Sequence, residues 1–368
     1  MTTCKFPVAF FLFTALAAAQ PGDPAQGGPL RLAIAGLVHG HVDGFFRAVQ
    51  NRQDVQVVGV FDPDPALQRK YAQKYHLADS ILFSDLNTMF ERTKPEAVAS
   101  FTNTYDHPVI VEAAAPRHIH VMMEKPLAVS MEHARAIQRA AGRGGIQVIV
   151  NYETTWYRSH GEMWQLLKKQ QAAGEIRKMV AMDGHQGPKE IGTPPEFFGW
   201  LSDPAKNGAG ALFDFGCYGA NLMTWMMDGQ RPLAVAALAH TSKPDIYARV
   251  EDEATVLVQY PKAQGIIQAS WNWPFSRKDF EVYGAKGYAN AMGGNALRVR
   301  LPGDRQEETR QPAALPPDES DSVSYLKAVV RGKVKPSGLS SLENNIIVTE
   351  ILTAARESIR TGKTIKLQ

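Results

Sequence analysis

Leu30-Arg31-Leu32-Ala33-Ile34-Ala35-Gly36-Leu37-Val38-His39-Gly40-His41 is the run whose reading sets the architecture. Six residues of strand character end in a glycine. Val42, Phe45, Phe46 and Val49 follow at i, i+3, i+4 and i+7, the spacing of a helix that buries one face. Strand, glycine turn and helix in that order is where a nucleotide diphosphate meets the free N–H groups of a helix N-terminus. The glycine fingerprint is incomplete. With Gly36 as the first glycine, Val38 stands in the second place and His41 in the third, and Gly40 offers the close approach instead. His39 and His41 belong to this nucleotide turn rather than to a metal site, because the histidines show no metal-ligand spacing. Taken alone, the run is explained equally well by a plain strand–helix turn.

The next strand narrows the choice. Val55 to Phe61 is β-branched and runs into Asp62-Pro63-Asp64. Asp62 stands about 26 residues after Gly36, near the usual ~20 for the carboxylate that accepts both ribose hydroxyls in a dinucleotide-binding unit. A carboxylate there repels a 2′-phosphate, so NAD is favoured over NADP. The other reading is that Asp62 caps the helix carrying Leu67 and Tyr71. The alternation continues with a strand from Ala97 to Phe101 leading into Thr102-Asn103, and a helix from about His107 to Ala115. A strand from His118 to Met123 follows, then a helix capped by Ser130 and a strand from Ile146 to Val150. Repeated β–α units give an α/β Rossmann domain over residues 29–151, a doubly wound, mostly parallel sheet with helices on both faces.

The strand at His118 delivers Glu124-Lys125-Pro126-Leu127 to the mouth of that sheet, where ligands of open α/β folds sit. Proline restricts the residue before it, so Lys125 is held away from helical geometry. As a bare tripeptide it reads equally as a surface charge pair.

After Asn151 the texture changes. Tyr152, Trp156 and Arg158 mix aromatic and polar character, and a helix is expected from His160 to Ala173. Alternating strands at 234–240, 254–260, 265–273 and 280–283 predict an α+β domain over 152–368 with a large, mainly antiparallel open sheet. Helices at 322–331 and 344–359 close the chain, the last returning to the first domain. Within Gly208-Ala209-Gly210-Ala211-Leu212-Phe213-Asp214-Phe215-Gly216-Cys217-Tyr218, a continuous helix puts Asp214 and Tyr218 on one face at i, i+4. A carboxylate can orient a phenol, and a phenol can relay a proton. A capping aspartate with a core tyrosine fits the spacing too. Trp271 and Trp273 share a strand face. With Trp156 and Trp200 they are candidates to stack on a sugar, or they fill the interdomain core. Cys217 reads as a small buried residue.

The chain of 368 residues carries 44% hydrophobic and 21% charged residues, an ordinary globular composition long enough for two cores. A net charge of +3 without blocks of like charge gives no reason to expect nucleic acid as a partner. Lys5 precedes an apolar run from Phe6 to Ala19 that ends in Ala17-Ala18-Ala19-Gln20, the pattern of a cleaved secretory signal. The run is shorter than the ~20 residues of a spanning helix. Cleavage after Ala19 is expected, with a flexible leader at 20–28 and a periplasmic or secreted mature chain that is not a membrane protein. Cys4 leaves with the signal and Cys217 remains alone, so no internal disulfide forms.

The Gly36 turn, His107, His120-Val121 before Glu124-Lys125-Pro126, the Gly-rich run into Asp214 and the closing Ser358-Ile359-Arg360-Thr361-Gly362-Lys363 together resemble the glucose–fructose oxidoreductase / inositol dehydrogenase / MocA family, from about Arg31 to Leu367. The resemblance implies a homo-oligomer, dimer or tetramer, built through the open sheet. It implies catalysis by Lys125 and Asp214, with Tyr218 where many members carry histidine, as in the glucose–fructose oxidoreductase and dihydrodiol dehydrogenase branches. Lys125 would then lower the phenol's pKa. The nicotinamide cofactor would be held by Gly36, Val38, His39, Gly40, His41, Asp62, Thr102, Asn103, His107, Glu124 and Lys125. Tyr152, Trp156, Arg158, Trp200, Trp271 and Trp273 would face a small carbohydrate-like substrate. The expected reaction is hydride transfer between nicotinamide and a sugar or polyol. Free NAD is scarce outside the cytoplasm, which leaves two solutions: a tightly held cofactor with paired oxidation and reduction, or a redox-neutral glycoside lyase of the same fold. A secreted sugar-binding protein without turnover is the reading from another class.

Overall fold

The computed structural model describes residue 1 and residues 27–367; the expected signal segment and most of the leader lie outside the described residues. The chain alternates β1 (Leu30–Ala35), α1 (Val42–Gln50), β2 (Val55–Phe61), α2 (Pro65–Tyr75), β3 (Leu82–Phe83), α3 (Leu86–Thr93), β4 (Ala97–Ser100), α4 (His107–Ala114), β5 (His120–Glu124), α5 (Met131–Gly144) and β6 (Val148–Asn151). The six strands pair in parallel in the order β3-β2-β1-β4-β5-β6. That order reverses beside β1, and the crevice outside the strand ends there is where such sheets bind ligands. Both faces of β1 are covered. Leu30, Leu32 and Ile34 enter one core and Ala33 and Ala35 the other, all fully buried. A strand buried on both sides has no solvent face to alternate toward, which is why this one reads as an unbroken apolar run. Each large side chain so buried contributes roughly 1.5–3 kcal/mol. Asp64, Asp85 and Ser130 cap α2, α3 and α5 through side-chain oxygens.

The second half runs α6 (Arg158–Trp164), β7 (Ile176–Gly184), α7 (Pro195–Leu201), α8 (Pro204–Asn207), α9 (Ala211–Asp214), α10 (Gly216–Met226), β8 (Ala234–His240), β9 (Glu253–Gln259), β10 (Gln264–Ser270), β11 (Arg277–Gly284), β12 (Tyr288–Met292), β13 (Leu297–Arg300), β14 (Glu308–Arg310), α11 (Ser322–Val330), α12 (Leu342–Thr361) and β15 (Ile365–Lys366). Nine strands form one sheet, β14-β13-β12-β11-β7-β10-β9-β8-β15, in which only β7 and β10 run parallel. α10 lies on this sheet, and Gly219 lets it approach closely: a Cβ there would sit 2.8 Å from Ala181 and Ile267.

The helix expected over 160–173 is shorter. α6 gives way at Gln165 to five residues of wider π-helical turn and ends at Lys169. α11 packs Val323, Tyr325, Leu326 and Val329 into the core of the Rossmann sheet, and its Lys327 pairs with Asp54. α12 lies against α5 and α10. The closing helices therefore fasten the two sheets together. No described helix is long and apolar enough to cross a membrane.

Candidate active site

The apolar run of β5 stops at the crevice, where Glu124 and Lys125 stand beyond the strand's hydrophobic length. Lys125 is 5% exposed and Asp214 4%. The lysine Nζ donates to Asp214 Oδ1 at 2.5 Å and to the main-chain carbonyl of Asp214 at 2.9 Å. That carbonyl is available because the helix breaks. α9 ends at Asp214, Phe215 takes φ −111° and ψ −31°, and α10 restarts at Gly216. The Tyr218 N–H accordingly bonds Phe215 O, leaving Asp214 O to the lysine and to the Cys217 thiol at 3.3 Å. Trp271 Nε1 donates to Asp214 Oδ2 at 2.9 Å. Burial pulls the Lys125 ammonium toward neutrality, but the Asp214 charge outweighs it and its pKa stands above the ordinary lysine value. Asp214 is pushed up by burial and pulled further down by Lys125, ending below the usual carboxylate range. The pair is ionised, and one ammonium hydrogen is left for a ligand.

The i, i+4 partnership of Asp214 with Tyr218 is corrected by this geometry. The helix breaks at Phe215, and the carboxylate oxygens are taken by Lys125 and Trp271. The Tyr218 ring instead has two ammonium groups over it, Lys125 at 5.1 Å and Lys278 at 5.2 Å from its centroid. Its pKa is raised well above the ordinary phenol value by burial, followed by nearby acidic groups, so Lys125 does not lower it as expected. Lys278 was not legible as a site residue, because β11 begins three residues earlier than its apolar pattern indicates. Lys278 also pairs with Glu153. His185, beyond the end of β7, packs edge-on against Phe215 at 4.8 Å and was likewise missed.

At the glycine turn, Gly36 adopts φ +88°, and a Cβ there would meet Thr102 at 2.7 Å, so the turn sits directly on the end of β4. Asp62 is buried. Its Oδ2 accepts from Leu37 N–H at 2.7 Å and its Oδ1 from Asp64 N–H at 2.8 Å. Burial raises its pKa against these two bonds. Asp64, not Asp62, caps α2. His39 is buried against Phe197 and Trp200 of α7, and Gly40 faces the Phe197 ring. His41 Nδ1 bonds Glu124 Oε2 at 2.9 Å, and Asn151 Nδ2 donates to the other Glu124 oxygen at 2.8 Å. Burial raises Glu124, while His41, Asn151 and Lys125 hold it below the ordinary value.

His107 is buried, with Nδ1 at 3.1 Å from Leu127 O. A carbonyl only accepts, so Nδ1 carries the hydrogen and Nε2 is a bare acceptor that has no partner. Burial lowers this imidazole to about 4, which keeps it neutral. The side chain of Asn103 caps the short turn before α4 through Asp106 N–H. The Asp62 carboxylate at one end of the crevice and the His107 acceptor with Lys125 at the other fit a dinucleotide. The middle departs from the glycine pattern, with Val38 and His41 in place.

The residues expected to face substrate lie in different surroundings. Tyr152 is fully buried, edge-on to Tyr218 at 5.4 Å. Trp156 donates to Asn151 Oδ1 and packs on Tyr325 of α11, and with the exposed Arg158 it lines a separate cavity of about 1050 Å³. Trp200 covers the turn, donating to Val38 O at 3.2 Å. Trp271 is fully enclosed and serves Asp214 rather than a ligand. Trp273 lies under the Arg277 guanidinium at 4.5 Å. The five aromatic residues were singled out by ring content, which does not distinguish a platform from packing.

Comparisons with known proteins agree with this architecture. Residues 30–152 match the oxidoreductase family with NAD-binding Rossmann fold, and residues 162–290 match the GFO/IDH/MocA C-terminal domain. A 1,5-anhydro-D-fructose reductase of Ensifer adhaerens is 23% identical over 66% of this chain and 73% of that protein. A trans-1,2-dihydrobenzene-1,2-diol dehydrogenase of Macaca fuscata fuscata is 23% identical over 84% of this chain and 90% of its own. An inositol dehydrogenase homolog from Azotobacter vinelandii, solved with NAD+, superposes with a TM-score of 0.79 at 20% identity, covering 93% of this chain and 98% of that one. A parallel sheet in Rossmann order, a large antiparallel-rich sheet, a Glu-Lys-Pro at the crevice and matches to the models of both domains make this chain a member of the Gfo/Idh/MocA oxidoreductase family.

Proposed function

We propose that the protein interconverts an alcohol and a carbonyl on a carbohydrate-like substrate with a nicotinamide cofactor, NAD rather than NADP, and that Lys125 holds the reacting oxygen. One observation carries this reading: a buried ammonium fixed through two hydrogens by Asp214, with a third hydrogen left over. When bound, the nicotinamide supplies or receives the hydride. Asp62, the Gly36–His41 turn, Thr102, Asn103 and His107 would hold the dinucleotide. Lys125 donates to the substrate oxygen and stabilises negative charge that develops on it. Asp214 keeps the lysine charged, and Trp271 keeps Asp214 in place.

Lys125 and Tyr218 both rest in their protonated forms. We take reduction of a keto sugar as the direction to test first, with Lys125 as the donor to the carbonyl oxygen. The relationship to a 1,5-anhydro-D-fructose reductase supports that substrate class. We propose further that the mature chain is exported after cleavage behind Ala19. It would dimerise through the open face of the nine-stranded sheet, which exposes Leu238 and Leu257. The test is nicotinamide absorbance on mixing the exported protein with a panel of keto sugars, aldoses and polyols. Reduced cofactor consumed with a keto sugar is expected. Sugar-dependent turnover that survives Lys125→Ala would sink the assignment.

A further inference from the structure

We infer that His39, His41 and Glu124 form a site for a divalent transition-metal ion at the carboxyl ends of β1 and β5, and that the ion takes over the anion-holding task of the altered glycine turn. Two imidazoles and a carboxylate are the donor set of many zinc, iron and manganese centres. Here one donor atom from each lies within 4.8 Å of the others. Donors around an ion at about 2.0–2.2 Å stand roughly 3.4 Å apart, so closure needs movements of about an ångström. Two of the three are rigid. His39 is wedged against Phe197 and Trp200, and Glu124 is oriented by Asn151. His41 has a side chain 46% exposed, which gives an ion its way in.

The second observation concerns the backbone of the turn. From Leu37 to Val42, four N–H groups are already bonded inside the protein. Leu37 donates to Asp62 Oδ2, His39 to Phe101 O and Val42 to His39 O, while the His41 N–H occupies the His39 Nδ1 lone pair that an ion would take, and is released when the ion binds. Before an ion binds, at most Val38 and Gly40 remain to receive an anion at a turn whose usual task is to offer several. Lys125 is already paired with Asp214 and brings the turn no net positive charge. A divalent ion on the two histidines and Glu124 supplies it beside the path of a diphosphate. The third glycine's replacement by His41 thereby acquires a chemical reason. The diphosphate half of this inference rests on the nicotinamide reading; the ion-binding half does not.

The test uses the full mature chain, stripped with chelator and titrated with Zn2+ by calorimetry and with Co2+ by visible absorption. One ion per chain is expected, with ligand-field bands for cobalt. His41→Ala should weaken binding on the order of 100-fold while the metal-free variant still unfolds in one cooperative thermal transition. Should His39→Gln fail to fold, the half-exposed His41 keeps the test intact. Absence of binding to the wild type, or binding unchanged in His41→Ala, overturns the site. NAD+ affinity is then measured with and without Zn2+, and tightening of about 10-fold is expected from a cation beside a bound diphosphate. Equal affinity in both conditions overturns the anion-holding role. Zinc bound with no NAD+ binding in either condition leaves the ion site standing and overturns the anion-holding role together with the nicotinamide reading.

Discussion

The Lys125–Asp214 junction and the Gly36–His41 turn open on the same crevice, both at the carboxyl ends of Rossmann strands, and both bury polar groups. At the junction the partners come from opposite halves of the chain, 89 residues apart, and the result is a fixed charge with one hydrogen to spare. At the turn most partners are local or come from neighbouring strand ends, and they consume the N–H groups that a phosphate would use. A motif whose function lies in one side chain survives changes around it. A motif whose function lies in unpaired backbone groups depends on every neighbour that could pair them.

The contrast breaks most visibly at Lys125. Lys125→Ala is expected to cut turnover on the order of 1000-fold while NAD binding, followed by fluorescence titration, changes less than about threefold; a large loss of binding would merge the two regions into one. Asp214→Asn comes next. It strands a buried ammonium beside a neutral amide, and urea unfolding should report a loss of about 3 kcal/mol. The pH dependence follows from the directions of the two shifts. Asp214 is depressed, so its contribution is present above the unfolded carboxyl value of about 3.9 and is lost as pH falls through the folded one. Lys125 is raised, so its contribution is present below about 10.4 and is lost as pH rises through the folded value. The wild-type advantage should be flat from about pH 5 to 9 and shrink on the acid side.

On the other side of the comparison, Asp62→Ala leaves the Leu37 and Asp64 N–H groups without their acceptor. It should cost about 2 kcal/mol by the same measurement, and it should narrow any preference for NAD over NADP in the fluorescence titration. Gly40→Ala sets a Cβ 2.8 Å from the Phe197 ring, the edge of a side chain that can shift. A loss of about 1 kcal/mol or less is expected, sharpening the view that this glycine serves contact with α7.

Five of the six strands of the first domain were legible as apolar runs, while the two-residue β3, α3 and the Asp64 and Asp85 caps were not read. Ala234–His240 was readable residue for residue. β7 and β13 were not, since Arg177, Lys178, Arg298 and Arg300 interrupt them with the charges of a solvent-facing side. Lys125 and Asp214 were found through the strand end and the glycine-rich run. Their bond was not, because the break at Phe215 leaves no mark that distinguishes it from a continuing helix. The enclosure of His39 by Phe197 and Trp200 joins residues some 160 positions apart, and local pattern carries no trace of it. Glu124 meeting His41 is hidden for the same reason, being 83 positions away.

The carbonyl of residue 214 gives the lysine an anchor that no single codon change can erase. A substitution at 214 removes the carboxylate but not the peptide oxygen, which persists while the chain bends at Phe215. Descendants of this sequence could therefore exchange the acid, and with it the charge state of the lysine, while the amine keeps its address. New chemistry could be sampled at this crevice by altering one side chain, without first rebuilding the place where it happens.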